Sequence, residues 1–299
     1  MKRNEICIRD PFVLTWEGKY YLYGTRSATC WGPAEGFDCY VSADLENWEG
    51  PLEIFRRPEG FFADRHYWAP ECVERDGSFF LFATLGCADR KDGVYLLKSG
   101  APTGPFTFCS RLTPEDWSCI DGTYWSEDGR DWLLFSHAFE DDPRGGMCAV
   151  ALTPDLARPA GEPVTLFSAA DAPWVRPVPF AKAEFGMDGD VFLSDGPCVF
   201  PLPDGHLGMS WSSWGERGYA VGLAVSAGGV TGPWAHLETP LFPENGGHGM
   251  LFTDLGGQAR FALHYPNDKE RERPVFPRVE FSDGVPHIAE ALARQEEPA

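Results

Sequence analysis

Apolar and aromatic residues fall in short runs punctuated by turn residues, and one arrangement recurs five times along the chain: a short apolar strand, a turn ending in Gly, and a second apolar or aromatic strand. The repeats are DPFVLTWEG-KYYLYGT (10–25), APECVERDG-SFFLFAT (69–84), DGTYWSEDG-RDWLLFSH (121–137), DGPCVFPLPDG-HLGMSWSS (195–213) and HGMLFTDLGG-QARFALHY (248–265). Their turn glycines, Gly18, Gly77, Gly129, Gly205 and Gly257, are separated by 59, 52, 76 and 52 residues. Gly adopts positive φ without steric cost, so each pair of strands is predicted to be a hairpin. Each unit then runs on into further strand-like sequence, such as GVYLLKSGAPTGPF and YAVGLAVSAGGVTGPW, in which a Thr-Gly-Pro-aromatic motif repeats at Thr103–Phe106 and Thr231–Trp234. Four strands per unit and five units predict an all-β, five-bladed β-propeller with four antiparallel strands per blade, one domain over residues 1–299. The long interval before Gly205 holds an insertion at about residues 160–190. It is expected to be a loop over one face, because DAPWVRPVPF is too Pro-rich for a helix. The polar tail, about 289–299, is expected to fray.

Composition narrows the function. The 33 Gly and 26 Pro are dispersed among apolar runs, which argues against both disorder and long helical bundles. A net charge of −20 repels phosphate backbones and anionic lipid, so nucleic acid and membrane are poor partners and a neutral ligand is compatible. No apolar run approaches a membrane span, and MKRNEICIRDPF lacks the apolar segment of a secretory signal. Nine cysteines, an odd number with no CxxC pair, read as reduced and mostly buried thiols of a cytoplasmic protein.

The innermost strand of a propeller blade lines the central axis. The residues expected to open these strands are Asp10, the Trp68-Ala69-Pro70 segment, Asp121, Asp195 and His248. Three carboxylates from distant sequence would then share one funnel, where mutual repulsion raises at least one pKa. Two chemistries use such a cluster: cation binding by oxygen ligands and glycoside cleavage by an acid and a base. Aromatic residues near the same edge, Trp68, Phe61, Phe62, Trp125, Trp214 and Trp31, favour sugar, whose ring faces stack on aromatic rings.

The motifs IRDPFVL…GKYYLYGT, YWAPE, CIDGT, SDGP and GGHGM, in this order from Ile8 to about Phe281, resemble glycoside hydrolase family 43. The resemblance implies a five-bladed propeller acting on arabinose- or xylose-containing glycans with inversion, with galactofuranosides and galactans as further substrates of relatives. It implies that Asp10 is the general base, that Asp121 orients the proton donor and tunes its pKa, and that the donor stands at Asp195. The family usually has Glu in an E-G-P motif there. Asp is one methylene shorter, which makes Glu184 and Glu71 rival donors. His248 matches an axial His that holds a water shell or a cation, often calcium, through water. Arg273 matches a late Arg that contacts substrate hydroxyls, and His137, with the aromatic residues Trp68, Phe61 and Trp214 named above, is a further candidate for substrate contact. No cofactor is required. The expected reaction is inverting exo-release of a pentose, α-L-arabinofuranose first and β-D-xylose next. Endo-arabinanase, β-galactofuranosidase and a non-catalytic sugar-binding propeller are the alternatives. A fructoside hydrolase of the same architecture would open with N-D-P-N, whereas Asp10 is preceded by Arg9 and its Pro11 is followed by Phe12.

Overall fold

The computed structural model describes residues 1–288, so the tail expected to fray lies outside the described residues. Five antiparallel sheets follow one another around a ring. Blade 1 is β1 (Ile8–Trp16), β2 (Lys19–Arg26), β3 (Gly36–Ser42) and β4 (Trp48–Arg56). Blade 2 is β5 (Arg65–Arg75), β6 (Ser78–Cys87), β7 (Arg90–Ser99) and β8 (Thr107–Arg111). Blade 3 is β9 (Cys119–Glu127), β10 (Arg130–His137), β11 (Gly146–Leu152) and β12 (Val164–Ser168). Blade 4 is β13 (Asp195–Pro201), β14 (Leu207–Gly215), β15 (Gly218–Ser226) and β16 (Trp234–His236). Blade 5 is β17 (Gly247–Thr253), β18 (Ala259–Tyr265) and β19 (Arg273–Val275). An Arg260–Arg278 bridge extends this three-stranded blade toward a hairpin of β20 (Val279–Ser282) and β21 (Val285–Ile288).

The hairpins form where the glycine pattern places them. Glu17-Gly18, Asp76-Gly77 and Asp128-Gly129 have φ of 46° and 72°, 51° and 74°, and 51° and 73°. Positive φ at both central residues is the type I′ turn, whose twist matches that of the flanking strands. The Thr-Gly-Pro-aromatic repeat also marks equivalent places, since Gly104-Pro105 and Gly232-Pro233 are both cis and both lead into a fourth strand.

Blades stack face to face, so strands inside the ring are apolar on both sides, as in the almost wholly buried SFFLFATLGC of β6. Phe37, Phe55, Tyr67 and Leu81 fill the seam between blades 1 and 2, Phe82, Val94, Leu133 and Phe135 that between blades 2 and 3, and Leu134, Met147, Met209 and Trp211 that between blades 3 and 4. Blades 4, 5 and 1 meet through Phe200, Met250, Phe252, Ile8 and Leu22. The residues before β1 tie the ring together: Arg3 N donates to Glu46 O in blade 1, while Asn4 O accepts from Arg273 of β19.

The insertion differs from its expected outline. Residues 160–190 include β12, the outer strand of blade 3, so the extra segment begins after Ser168. A 3₁₀ turn at Ala169–Asp171 takes in the first residue of the Pro-rich run, the rest of which is non-helical, and the short helix α1 (Ala181–Phe185) follows it. Trp174 anchors the segment: its ring lies 5.0 Å from that of Trp211, over Gly222. Val178, Ala181, Val191 and Leu193 then pack on Tyr219, with Phe180 edge-on to Trp214 at 5.2 Å. The insertion is therefore a wall built on blade 4.

Candidate active site

Each innermost strand carries a bulge at the same place. The pairs Arg9–Thr25 and Phe12–Tyr23, Trp68–Thr84 and Glu71–Phe82, Ile120–Ser136 and Thr123–Leu134, Asp195–Ser212 and Cys198–Ser210, and Gly247–His264 and Met250–Ala262 each leave two residues opposite one. The first residue of the bulge has positive φ in all five blades: Asp10 54°, Ala69 43°, Asp121 58°, Gly196 51° and His248 46°. This corrects the alignment made from the sequence. The candidate residues sit at a bulge inside or near the start of the strand, and the blade 4 equivalent of Asp10 and Asp121 is Gly196. Asp195 stands one position earlier, where the other blades have Arg9, Trp68, Ile120 and Gly247.

The bulges bring the three aspartates and His248 together. His248 Nδ1 lies 3.2 Å from Asp10 Oδ1 and 3.6 Å from Asp121 Oδ2. Asp10 also accepts from Arg9 Nε at 3.2 Å on Oδ1 and from the Thr25 hydroxyl at 2.6 Å on Oδ2. Asp121 Oδ2 accepts from the Gly196 N–H at 3.2 Å. Asp195 Oδ2 accepts from the Tyr219 hydroxyl at 2.9 Å. Asp10, Asp121 and His248 are buried, and Asp195 is partly exposed.

These surroundings separate the three carboxyls. Burial opposes ionisation of Asp10, but His248, Arg9 and the Thr25 hydroxyl outweigh it and hold this carboxyl well below the usual range. Burial, and then the charges of Asp195 and Asp10, push Asp121 far up. Burial also lifts Asp195 to about 7 against the opposing pull of the Tyr219 hydroxyl. Asp121 and Asp195 titrate together, so a proton is held by the pair near neutral pH while Asp10 is ionised. An ionised carboxylate beside a protonated carboxyl pair is an acid and a base in one funnel.

The other sequence-derived candidates divide. Trp68 is at the site: it occupies the position equivalent to Asp195, stacks on His66 at 4.2 Å and meets Trp31, which is 62% exposed, at 5.5 Å. Trp214 pairs with Tyr219 across β14 and β15, below the insertion wall. His137 ends β10 beside the bulge level, stacked on Trp117 at 4.2 Å, with Nε2 buried and without a hydrogen-bond partner. Phe61 is not brought in. It packs on Phe55 and Phe108 of the outer strands β4 and β8, because an apolar ring is better buried there than in a polar funnel. Arg273 is not brought in either, since main-chain carbonyls of Asn4, Glu270 and Glu272 occupy its guanidinium. The cation beside the carboxyls is Arg9, which also reaches Glu272 Oε1 at 3.4 Å and lies over Trp31. Glu184 is exposed on α1. Glu71 is buried two residues beyond the blade 2 bulge, with Oε2 unpartnered and its pKa raised by burial to about 8.

The residues do not form a direct metal cage. Among the described residues no group of three or more His, Cys, Asp or Glu side chains is arranged to hold a metal ion. His248 turns Nδ1 toward two carboxylates while the other edge of its ring packs on Gly196.

Sequence reasoning passed over Arg9, Thr25, Tyr219 and His264. Tyr219 and Thr25 look like ordinary strand residues, and only the repeat alignment carries a signal. A hydroxyl or imidazole, Thr25, Thr84, Ser136, Ser212 or His264, stands in each second strand at a constant seven residues after its turn glycine.

Known proteins share this fold. A structure described as an endo-arabinase from Bacteroides thetaiotaomicron VPI-5482 superposes with a TM-score of 0.85 at 34% identity, covering 95% of this chain and 98% of that one. A thermostable family-43 glycoside hydrolase shares the fold with a TM-score of 0.80 at 22% identity, over 98% and 95% of the two chains. The extracellular exo-α-(1→5)-L-arabinofuranosidase of Cellvibrio japonicus (strain Ueda107) is 28% identical over 177 residues, which is 52% of this chain. The match spans about half, 47%, of that relative's length. The family model described as glycosyl hydrolases family 43 matches residues 5–286, nearly the whole described chain, and the protein belongs to that family.

Proposed function

We propose that the protein is an inverting glycosidase that releases a pentose, α-L-arabinofuranose first and β-D-xylose next, from short oligosaccharides. The observation that carries this reading is the convergence of Asp10 and Asp121 on His248, with Asp195 near enough to act on Asp121, and the proton affinities of the three carboxyls driven apart. Asp195, the partly exposed member of the protonated pair, gives its proton to the glycosidic oxygen as the bond to the anomeric carbon breaks. A water attacks that carbon from the opposite face and passes a proton to Asp10. Asp121 keeps the proton available to Asp195. Negative charge around the funnel stabilises the oxocarbenium-like transition state.

The names of the relatives support arabinan-type substrates, one exo-acting and one endo-acting. The insertion wall beside Asp195 supports a pocket closed on one side, and so the exo mode. Trp31 and Trp68 offer ring faces for sugar on the other side. Nine free cysteines, six of them buried, support a reducing, cytoplasmic setting. An axial calcium would be held through water at His248, and no step above passes through it.

The test is turnover of nitrophenyl α-L-arabinofuranoside, β-D-xylopyranoside and β-D-galactofuranoside and of arabino-oligosaccharides, with the anomer of the fresh product read by NMR. Inverted product from one sugar, abolished in Asp10→Asn, is expected. Wild-type turnover in a folded Asp10→Asn would sink the assignment. One observation favours a second reading: the donor arm is Asp where the family has Glu. Calorimetric binding with intact ligand recovered, and silence on all substrates, would make the protein a sugar-binding propeller.

A further inference from the structure

At each of these bulges the N–H of the first residue, at positive φ, points out of its own ladder, and a buried N–H must find an acceptor elsewhere. Four of the five bulges solve this in one way. The N–H donates to a side chain in the second strand of the preceding blade, seven residues after its turn glycine: Ala69 to Thr25 Oγ1 at 2.8 Å, Asp121 to Thr84 Oγ1 at 2.9 Å, His248 to Ser212 Oγ at 2.8 Å and Asp10 to His264 Nδ1 at 3.2 Å. The result is a ring of bonds from blade to blade around the funnel. It is broken once. Between blades 3 and 4 the Gly196 N–H donates to Asp121 Oδ2, and Ser136 Oγ, at the equivalent place and fully buried, has no partner.

Resting on the assignment of Asp10 as base, we infer that Thr25 is a positioning residue for Asp10, acting through its place in this ring. Because Thr25 Oγ1 accepts from Ala69 N, its own proton is directed onto Asp10 Oδ2, at 2.6 Å. His264 fixes the other end of the residue. Its Nε2 lies 3.1 Å from Asn267 Oδ1, an acceptor for Nε2–H, so Nδ1 carries the lone pair that receives the Asp10 N–H. Burial agrees with a neutral ring, lowering the His264 pKa to about 3. Asp10 is thus held at its backbone by His264 of blade 5, and at its carboxyl by Thr25 and Arg9 of its own blade and by His248 of blade 5. The broken link has the complementary effect: the N–H that Ser136 does not receive is the one that holds Asp121.

The test compares Thr25→Val, Thr25→Ser and Ser136→Ala, with Thr25→Cys as a milder variant should Val impair folding, which circular dichroism and Tm would report. Expected for Thr25→Val is a kcat loss of about 10- to 100-fold with KM little changed. The Asp10 carboxyl should titrate at higher pH, seen as a raised acid limb of the kcat profile and, without substrate, by carboxyl NMR. Thr25→Ser should restore both, and Ser136→Ala should keep wild-type kcat and profile. Thr25→Val with wild-type kcat and Asp10 titration would overturn the inference. So would a Ser136→Ala loss as large as that of Thr25→Val, since the position would then serve packing alone. An active Asp10→Asn would refute the base assignment itself, whereas an inactive Asp10→Asn beside a normal Thr25→Val refutes only the positioning role.

Discussion

Tyr219→Phe removes one hydroxyl and keeps the ring that stacks on His264 with centroids 5.6 Å apart. The hydroxyl donates to Asp195 Oδ2 at 2.9 Å and therefore favours the ionised carboxylate, working against the burial that lifts Asp195 to about 7. Without it the carboxyl holds its proton more tightly. A hydrogen bond to a charged acceptor contributes roughly 1.5–3 kcal/mol, and about 1.36 kcal/mol corresponds to one pH unit. Asp195 is partly exposed, so water replaces part of the lost donation, which places the expected change near the lower bound, about one pH unit. A proton donor is active below its pKa, so the basic limb of kcat/KM should move upward by about that amount while the acid limb stays in place. The assay is the pH dependence of kcat/KM on whichever glycoside the wild type cleaves. Because Asp121 and Asp195 titrate as a pair, the limb is a property of both, but its direction is fixed by the sign of the lost bond. A basic limb that stays still or falls would refute the claim that Asp195 carries the transferred proton.

Glu71→Gln should stabilise the fold, and more so as pH rises. Burial holds the Glu71 carboxyl at about 8, against about 4.3 in an unfolded chain, so the folded state binds the extra proton and stability falls between these values. The gain in Gln should be near zero at pH 4 and roughly 3–5 kcal/mol above pH 8, read from Tm or urea midpoints, and an equal gain at both ends would contradict it. Asp195→Asn should lower kcat by about 100- to 10,000-fold on a substrate with a poor leaving group, and Glu184→Gln should leave kcat unchanged, with a reversed ranking pointing to the insertion as the proton source. Gly222→Ala should cost about 1–3 kcal/mol, since an added Cβ would lie 2.2 Å from the Trp174 ring; an unchanged Tm would show that the wall moves freely.

The architecture was legible because hairpin chemistry is local. A turn glycine and the aromatic strand after it carry their meaning in the string itself, and all five repeats folded as hairpins at the glycines that marked them. Bulge register was less legible, because Asp-Gly-Pro reads alike whether Asp or Gly takes the positive φ. Only the pairing of Asp195 with Ser212 settles it. Phe61 and Arg273 were misplaced for a related reason. An aromatic ring and a guanidinium are equally at home in a funnel, a core or on loop carbonyls, and three-dimensional neighbours decide. Tyr219 and Thr25 went unnoticed because a single hydroxyl in an apolar strand has no pattern of its own.

The seat of the insertion carries its own optical label. Trp174 and Trp211 lie with centroids 5.0 Å apart, and both indole N–H groups are buried without a hydrogen-bond partner. Indoles in so dry a setting emit at shorter wavelength than hydrated ones, and rings this close couple in their ultraviolet absorption. Lifting the segment off blade 4 would hydrate Trp174 and part the pair, shifting emission to the red and erasing the coupled dichroic band. Any displacement of the segment from blade 4 would therefore register in the unlabelled protein, over the emission of the other nine tryptophans.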